Sequence, residues 1–101
     1  MKRVVITGIG IVSCLGNNQE EVYTSLLSSK SGITFSEEYK EYNLKSNVHG
    51  KPNIKLEDYV DRKFIRFMGP GSAYNYISMA EAVKDSGLEE KDISNISTGM
   101  I

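Results

Sequence analysis

The 101-residue chain has one cysteine, one histidine, two prolines and no tryptophan. A single cysteine excludes an intramolecular disulfide framework and fits a reducing compartment. With one cysteine and one histidine, no nucleophile, base and orienting group of the usual kind can be assembled, and no His/Cys metal cluster either. No apolar run approaches the roughly 20 residues that cross a bilayer, so membrane insertion is not expected. The formal net charge is −1, which gives no global case for nucleic acid or an anionic membrane surface. Internal repeats, low-complexity tracts and interdomain linkers are also missing. Asn95-Ile96-Ser97 fits a glycosylation sequon, but no credible secretory signal accompanies it and it is read as chance. At 40% hydrophobic content the chain can form one small domain with little surplus core. These bounds describe a soluble, cytoplasmic α/β protein and say nothing of chemistry.

What is present begins with Val4-Val5-Ile6-Thr7-Gly8-Ile9-Gly10-Ile11-Val12-Ser13-Cys14-Leu15-Gly16. The continuous apolar run Val4–Ile6 predicts a strand covered on both faces, and the glycines after it allow tight turns or close backbone approach. A dinucleotide-binding turn competes for the same residues. Its third glycine would fall at Ser13, and the helix starts too late to offer its N-terminus to a pyrophosphate. A lipoprotein signal also competes, with Lys2-Arg3 as its charged start and Cys14 as its lipidation site. Thr7 and two glycines dilute its apolar core. The strand is the preferred reading, with no cleaved signal.

Asn17 or Asn18 predicts an N-cap, with Glu20 or Glu21 completing a capping-box-like pairing. The helix should run to about Ser29, with Val22, Leu26 and Leu27 on its core face and Lys30-Ser31-Gly32 as its stop. Residues 36–60 read as a long irregular loop, with Leu44 and Val48 alternating as a short edge strand would. His49 lies there without a partner at ligand spacing. Residues 72–86 predict a longer helix carrying Ala73, Tyr76, Ile77, Ala80 and Val83 on one face, stopped by Gly87. Ser97 to Ile101 reads as the start of a second strand in which the chain stops, so truncation is expected.

Between these lies Asp61 to Met68. With Asp61 as N-cap, Phe64, Ile65, Phe67 and Met68 fall on one helical arc. Arg62, Lys63 and Arg66 fall on the opposite one. The apolar arc should dock on the core. The basic arc should face solvent with no acid to neutralise it, although charged outer faces are common and need no partner.

Val5 to Ser13 followed by Leu15-Gly16-Asn17 resembles the opening of the β-ketoacyl-acyl-carrier-protein synthases. Gln19-Glu20-Glu21-Val22, Ser31-Gly32-Ile33-Thr34-Phe35-Ser36, Asp61-Arg62-Lys63 and Arg66-Phe67-Met68 resemble the bacterial type I branch rather than type II. The resemblance spans the whole chain and covers only the N-terminal portion of such an enzyme. It implies an α/β, thiolase-like layered fold, of which residues 1–101 would give strand, helix, loop, short helix, helix and a truncated strand. It also implies a decarboxylative Claisen condensation carried out by a cysteine, two histidines and a lysine. None of those motifs is present; they belong beyond Ile101, and no cofactor is implied. Cys14 does not fill the gap, because it has neither a helix N-terminus nor a base beside it and reads as a small buried hydrophobe. The family's partner, acyl carrier protein, is strongly acidic, and the matched motifs place Arg62, Lys63 and Arg66 on its docking surface, with Lys45 as a weaker candidate. The complete enzyme would be a homodimer. The rival expectation is a non-catalytic interaction module, lipid-anchored if residues 1–14 are a signal.

Overall fold

The computed structural model describes residues 1–100. Five helices and one two-stranded ladder follow in chain order. They are α1 (Gln19–Leu27), β1 (Thr34–Phe35), α2 (Glu37–Glu41), β2 (Val48–His49), a 3₁₀ turn (Leu56–Asp58), α3 (Arg62–Ile65), α4 (Pro70–Ser86) and α5 (Glu90–Ile93). The radius of gyration is 17.0 Å, well above the roughly 13 Å of a compact chain of this length. Among the described residues the buried apolar side chains are Val22, Val60, Ala73 and Ile77. This is a thin core on an open frame.

The predicted opening strand does not form. Val4 and Ile6 are 94% and 85% exposed, and residues 1–12 carry no ladder. A strand requires a neighbour to take its backbone hydrogen bonds, and the described residues offer Val4–Ile6 none. Further along, the segment finds partners on α4. Ile9 N–H donates to Asp85 Oδ2 at 3.0 Å, and Ile11 N–H donates to Glu81 Oε2 at 2.8 Å. The match is metric: four residues of helix advance about 6.0 Å, and two residues of extended chain advance about 6.6 Å. Gly8 and Gly10 permit the approach, since a Cβ on Gly10 would overlap the Ser78 carbonyl oxygen and stand 2.7 Å from Ala82 N.

Glu81 also fixes α1. Its Oε1 accepts the Gln19 N–H at 2.9 Å, while Gln19 Nε2 donates to the Ile9 carbonyl at 2.6 Å. Asn18 is the N-cap, accepting Glu21 N–H at 2.9 Å, and Glu21 in turn accepts Asn17 N–H at 2.7 Å. The capping expectation holds, with the return bond one residue earlier than in a regular capping box. The far end differs. Ser28 is the C-cap and Ser29, at φ 53°, supplies the left-handed turn expected of Gly32. The core face also differs: Val22 and Ser25 are buried, whereas Leu26 and Leu27 are 62% and 70% exposed. Ser25 tolerates burial because its hydroxyl donates to the Leu15 carbonyl at 2.7 Å.

Residues 36–60 are more ordered than the predicted loop. Ser36 caps α2 by accepting Tyr39 N–H at 3.3 Å. Val48 does lie in a strand, antiparallel to β1 with Phe35 opposite Val48 and Thr34 opposite His49. Leu44 lies outside it. The long helix matches expectation most closely. α4 starts two residues earlier than predicted because Gly69 is its N-cap and Pro70 occupies its first turn, where a missing N–H costs nothing. It ends at Gly87 with φ 69°. Of its predicted core face, Ala73 and Ile77 are buried and Val83 is half-buried, while Tyr76 and Ala80 are exposed. Ser97–Met100 forms no strand: Thr98 N–H bonds the Asn95 carbonyl at 2.9 Å and its hydroxyl donates to the Asp92 carbonyl at 2.6 Å. Ile101, the last residue of that expectation, lies outside the described residues. Among those described, no helix is long and apolar enough to cross a membrane.

Candidate functional site

The site is built on α3. Val60, 5% exposed, anchors the chain immediately before it, and Val60 N–H bonds the Leu56 carbonyl of the 3₁₀ turn at 2.9 Å. Asp61 then caps α3, its Oδ1 accepting Lys63 N–H at 3.0 Å. Phe67 N–H and Met68 N–H bond the Phe64 and Ile65 carbonyls, both at 2.9 Å, so turn geometry continues to Met68 after the helix proper ends. A buried valine, a capped first turn and a continued second turn hold a four-residue helix in one orientation.

Arg62, Lys63 and Arg66 are all exposed, as predicted. The apolar arc is not docked as predicted. Ile65 and Met68 are half-buried, but Phe64 and Phe67 are 53% and 83% exposed. Their rings lie beside the cations instead, with Lys63 Nζ 5.0 Å from the Phe64 centroid and the Arg66 guanidinium 5.7 Å from that of Phe67. Both distances are within the range of cation–π attraction. The expectation that no acid neutralises the arc is also corrected: Lys63 Nζ lies 3.5 Å from Asp61 Oδ2. Arg62 and Arg66 make no ion pair among the described residues. Lys45 is exposed on a separate element, the connection between α2 and β2.

Cys14 is half-buried against backbone, close enough to Gly32 and Gly50 that an added Cβ would stand 2.6 and 3.0 Å from its sulfur. That is the packing of a small hydrophobe. His49 meets Tyr39 edge-on, ring centroids 5.4 Å apart. Among the described residues no three His, Cys, Asp or Glu side chains group as metal ligands would. The clamp formed by Glu81 and Asp85 was missed in the sequence, although two acids four apart on a helix and two glycines two apart were available signals.

The sequence family described as beta-ketoacyl synthase, N-terminal domain, matches residues 1–101. The chain is 48% identical over 101 residues to the 3-oxoacyl-acyl-carrier-protein synthase 1 of Haemophilus influenzae, covering all of this chain and 25% of the relative. It is 47% identical over 95 residues to the Escherichia coli K12 protein of the same name, covering 94% of this chain and 23% of the relative. Against a Vibrio cholerae 3-oxoacyl-acyl-carrier-protein synthase 2 the identity is 34% over 89 residues, covering 87% and 22%. The higher identity to the synthase 1 proteins agrees with the branch that the motifs resemble. The chain spans about a quarter of the length of these relatives. The chain belongs to the β-ketoacyl synthase family, whose N-terminal domain its sequence matches.

Proposed function

We propose that this chain serves as the N-terminal portion of a condensing enzyme of fatty-acid synthesis, and that its α3 surface recruits acidic acyl carrier protein. In that enzyme an acyl group passes from carrier thioester to a cysteine thiolate, releasing the carrier thiol. Malonyl-carrier protein then loses CO₂, and the carbanion left behind attacks the cysteine thioester to give a 3-oxoacyl-carrier product and free the cysteine. The cysteine, the two histidines and the lysine lie beyond Ile101 in this reading, and the complete enzyme is a cytoplasmic homodimer with a thiolase-like fold. What residues 1–101 contribute is delivery of the carrier rather than chemistry.

The observation that carries this reading is the trio Arg62, Lys63 and Arg66, exposed on a short helix that Val60 anchors and Asp61 caps. Charge complementarity chiefly speeds encounter and fixes orientation, and a held helix presents its charges in one geometry. Lys45, exposed on the connection between α2 and β2, is a weaker candidate for the same role. The test is steady-state kinetics of the full-length protein with malonyl-carrier protein, replacing Arg62, Lys63 and Arg66 singly by Glu. KM for the carrier substrate should rise severalfold with kcat held. Unchanged KM in all three would remove the docking assignment.

A further inference from the structure

We propose that Asp61 restrains the capture of the acidic partner by occupying Lys63 as an internal competitor. This rests on the docking reading above and goes beyond it, because it makes the three cations unequal.

Asp61 does two things at once. Its Oδ1 accepts the Lys63 backbone N–H at 3.0 Å, which is the N-cap of α3. Its Oδ2 stands 3.5 Å from the Lys63 ammonium. The Phe64 ring approaches the same ammonium at 5.0 Å, so Lys63 is held between a carboxylate and an aromatic face. Arg66 lies beside the Phe67 ring, and among the described residues neither Arg62 nor Arg66 has an ion-pair partner. A carboxylate arriving on a carrier protein meets two available guanidinium groups and one ammonium that must first leave Asp61. The Lys63 and Asp61 side chains are 63% and 57% exposed, so the pair is weak and exchangeable, as exposed pairs are. It attenuates binding without preventing it.

Asp61→Asn separates the two roles, since asparagine caps a helix about as well as aspartate and carries no charge. Asp61→Ser does the same with a different side chain. The experiment is stopped-flow association of holo-acyl carrier protein with the full-length protein at low salt. It is run on the wild type, Asp61→Asn, Asp61→Ser, Lys63→Gln, Arg66→Gln and the Asp61→Asn doubles with each of the last two. Both Asp61 variants should associate about two- to fivefold faster, the range expected for releasing one exposed ion pair. Lys63→Gln should abolish that gain, whereas Arg66→Gln should slow association by the same factor in the wild-type and the Asp61→Asn backgrounds. A gain that survives Lys63→Gln would mean a general loss of negative charge and overturn the competitor role, as would no gain in either Asp61 variant. Neither result would touch the docking reading. If Lys63→Gln and Arg66→Gln leave association unchanged, the docking reading fails and this inference with it.

Discussion

Gly10→Ala probes the join between the N-terminal segment and α4. Gly10 does not occupy the left-handed region, so alanine can adopt its backbone conformation and the conflict is steric. The new Cβ would overlap the Ser78 carbonyl oxygen and lie 2.7 Å from Ala82 N, where ordinary contact begins at 3.4 Å. Both obstacles are helix backbone and cannot swing aside, so the segment must retreat. Even a retreat of about 1 Å, less than the overlap with the Ser78 carbonyl demands, takes Ile9–Asp85 and Ile11–Glu81 from 3.0 and 2.8 Å beyond the roughly 3.2 Å limit of good N–H···O geometry. Hydrogen bonds to charged groups contribute about 1.5–3 kcal/mol each. These two are exposed and part-buried, so the lower end applies, and alanine returns about 0.4–1 kcal/mol by stiffening the unfolded chain. The expected net loss is about 2 kcal/mol, read from urea unfolding of the full-length protein. Faster hydrogen exchange at the Ile9 and Ile11 amides should accompany it. Gly71→Ala is the control: a Cβ there meets nothing within 4 Å and should be neutral or slightly stabilising. Wild-type stability and unchanged exchange in Gly10→Ala would refute the clamp.

Other outcomes follow from the same geometry. Glu81→Gln should destabilise by about 1–2 kcal/mol in the same unfolding assay, because both carboxylate oxygens accept backbone N–H groups and an amide offers only one acceptor. Phe64→Ala, which would cost roughly 3–5 kcal/mol for a fully buried ring, should cost nearer 1 kcal/mol at 53% exposure, measured as a shift in the urea midpoint. The purified 101-residue chain should show no transacylation or condensation with acyl- and malonyl-carrier protein, and Cys14→Ala should change nothing in that assay; turnover lost on that substitution would overturn the packing role assigned to Cys14.

Features legible in the sequence were those settled within a few residues. Asn18 and Glu21 fix the start of α1, Asp61 caps α3, and Pro70 and Gly87 bracket α4, each by a local hydrogen bond or a local φ. Failures came where the outcome depends on a distant neighbour. Val4-Val5-Ile6 has the composition of a buried strand, yet strand formation requires a second strand, and none lies beside it among the described residues. Leu26, Leu27, Phe64 and Phe67 have the right periodicity for a core face, but periodicity marks only a candidate face and not what covers it. Asp61 was legible as a cap and not as the partner of Lys63. The capping bond is fixed by backbone geometry, whereas the ion pair depends on a rotamer of a long side chain.

If Arg62, Lys63 and Arg66 form a docking surface for an acidic carrier, association kinetics across ionic strength must show it. Rim charges act mainly on the association rate and its salt dependence, and screening tightens from a Debye length of about 30 Å at 0.01 M to about 3 Å at 1 M. Stopped-flow mixing of holo-acyl carrier protein with the full-length protein should give a rate that falls steeply with salt. In the Arg62→Glu, Lys63→Glu and Arg66→Glu variants the rate should be lower at low salt and should converge on wild type as salt rises. Wild-type rates with an unchanged salt slope in all three variants would show that the α3 cations are a solvated face and nothing more.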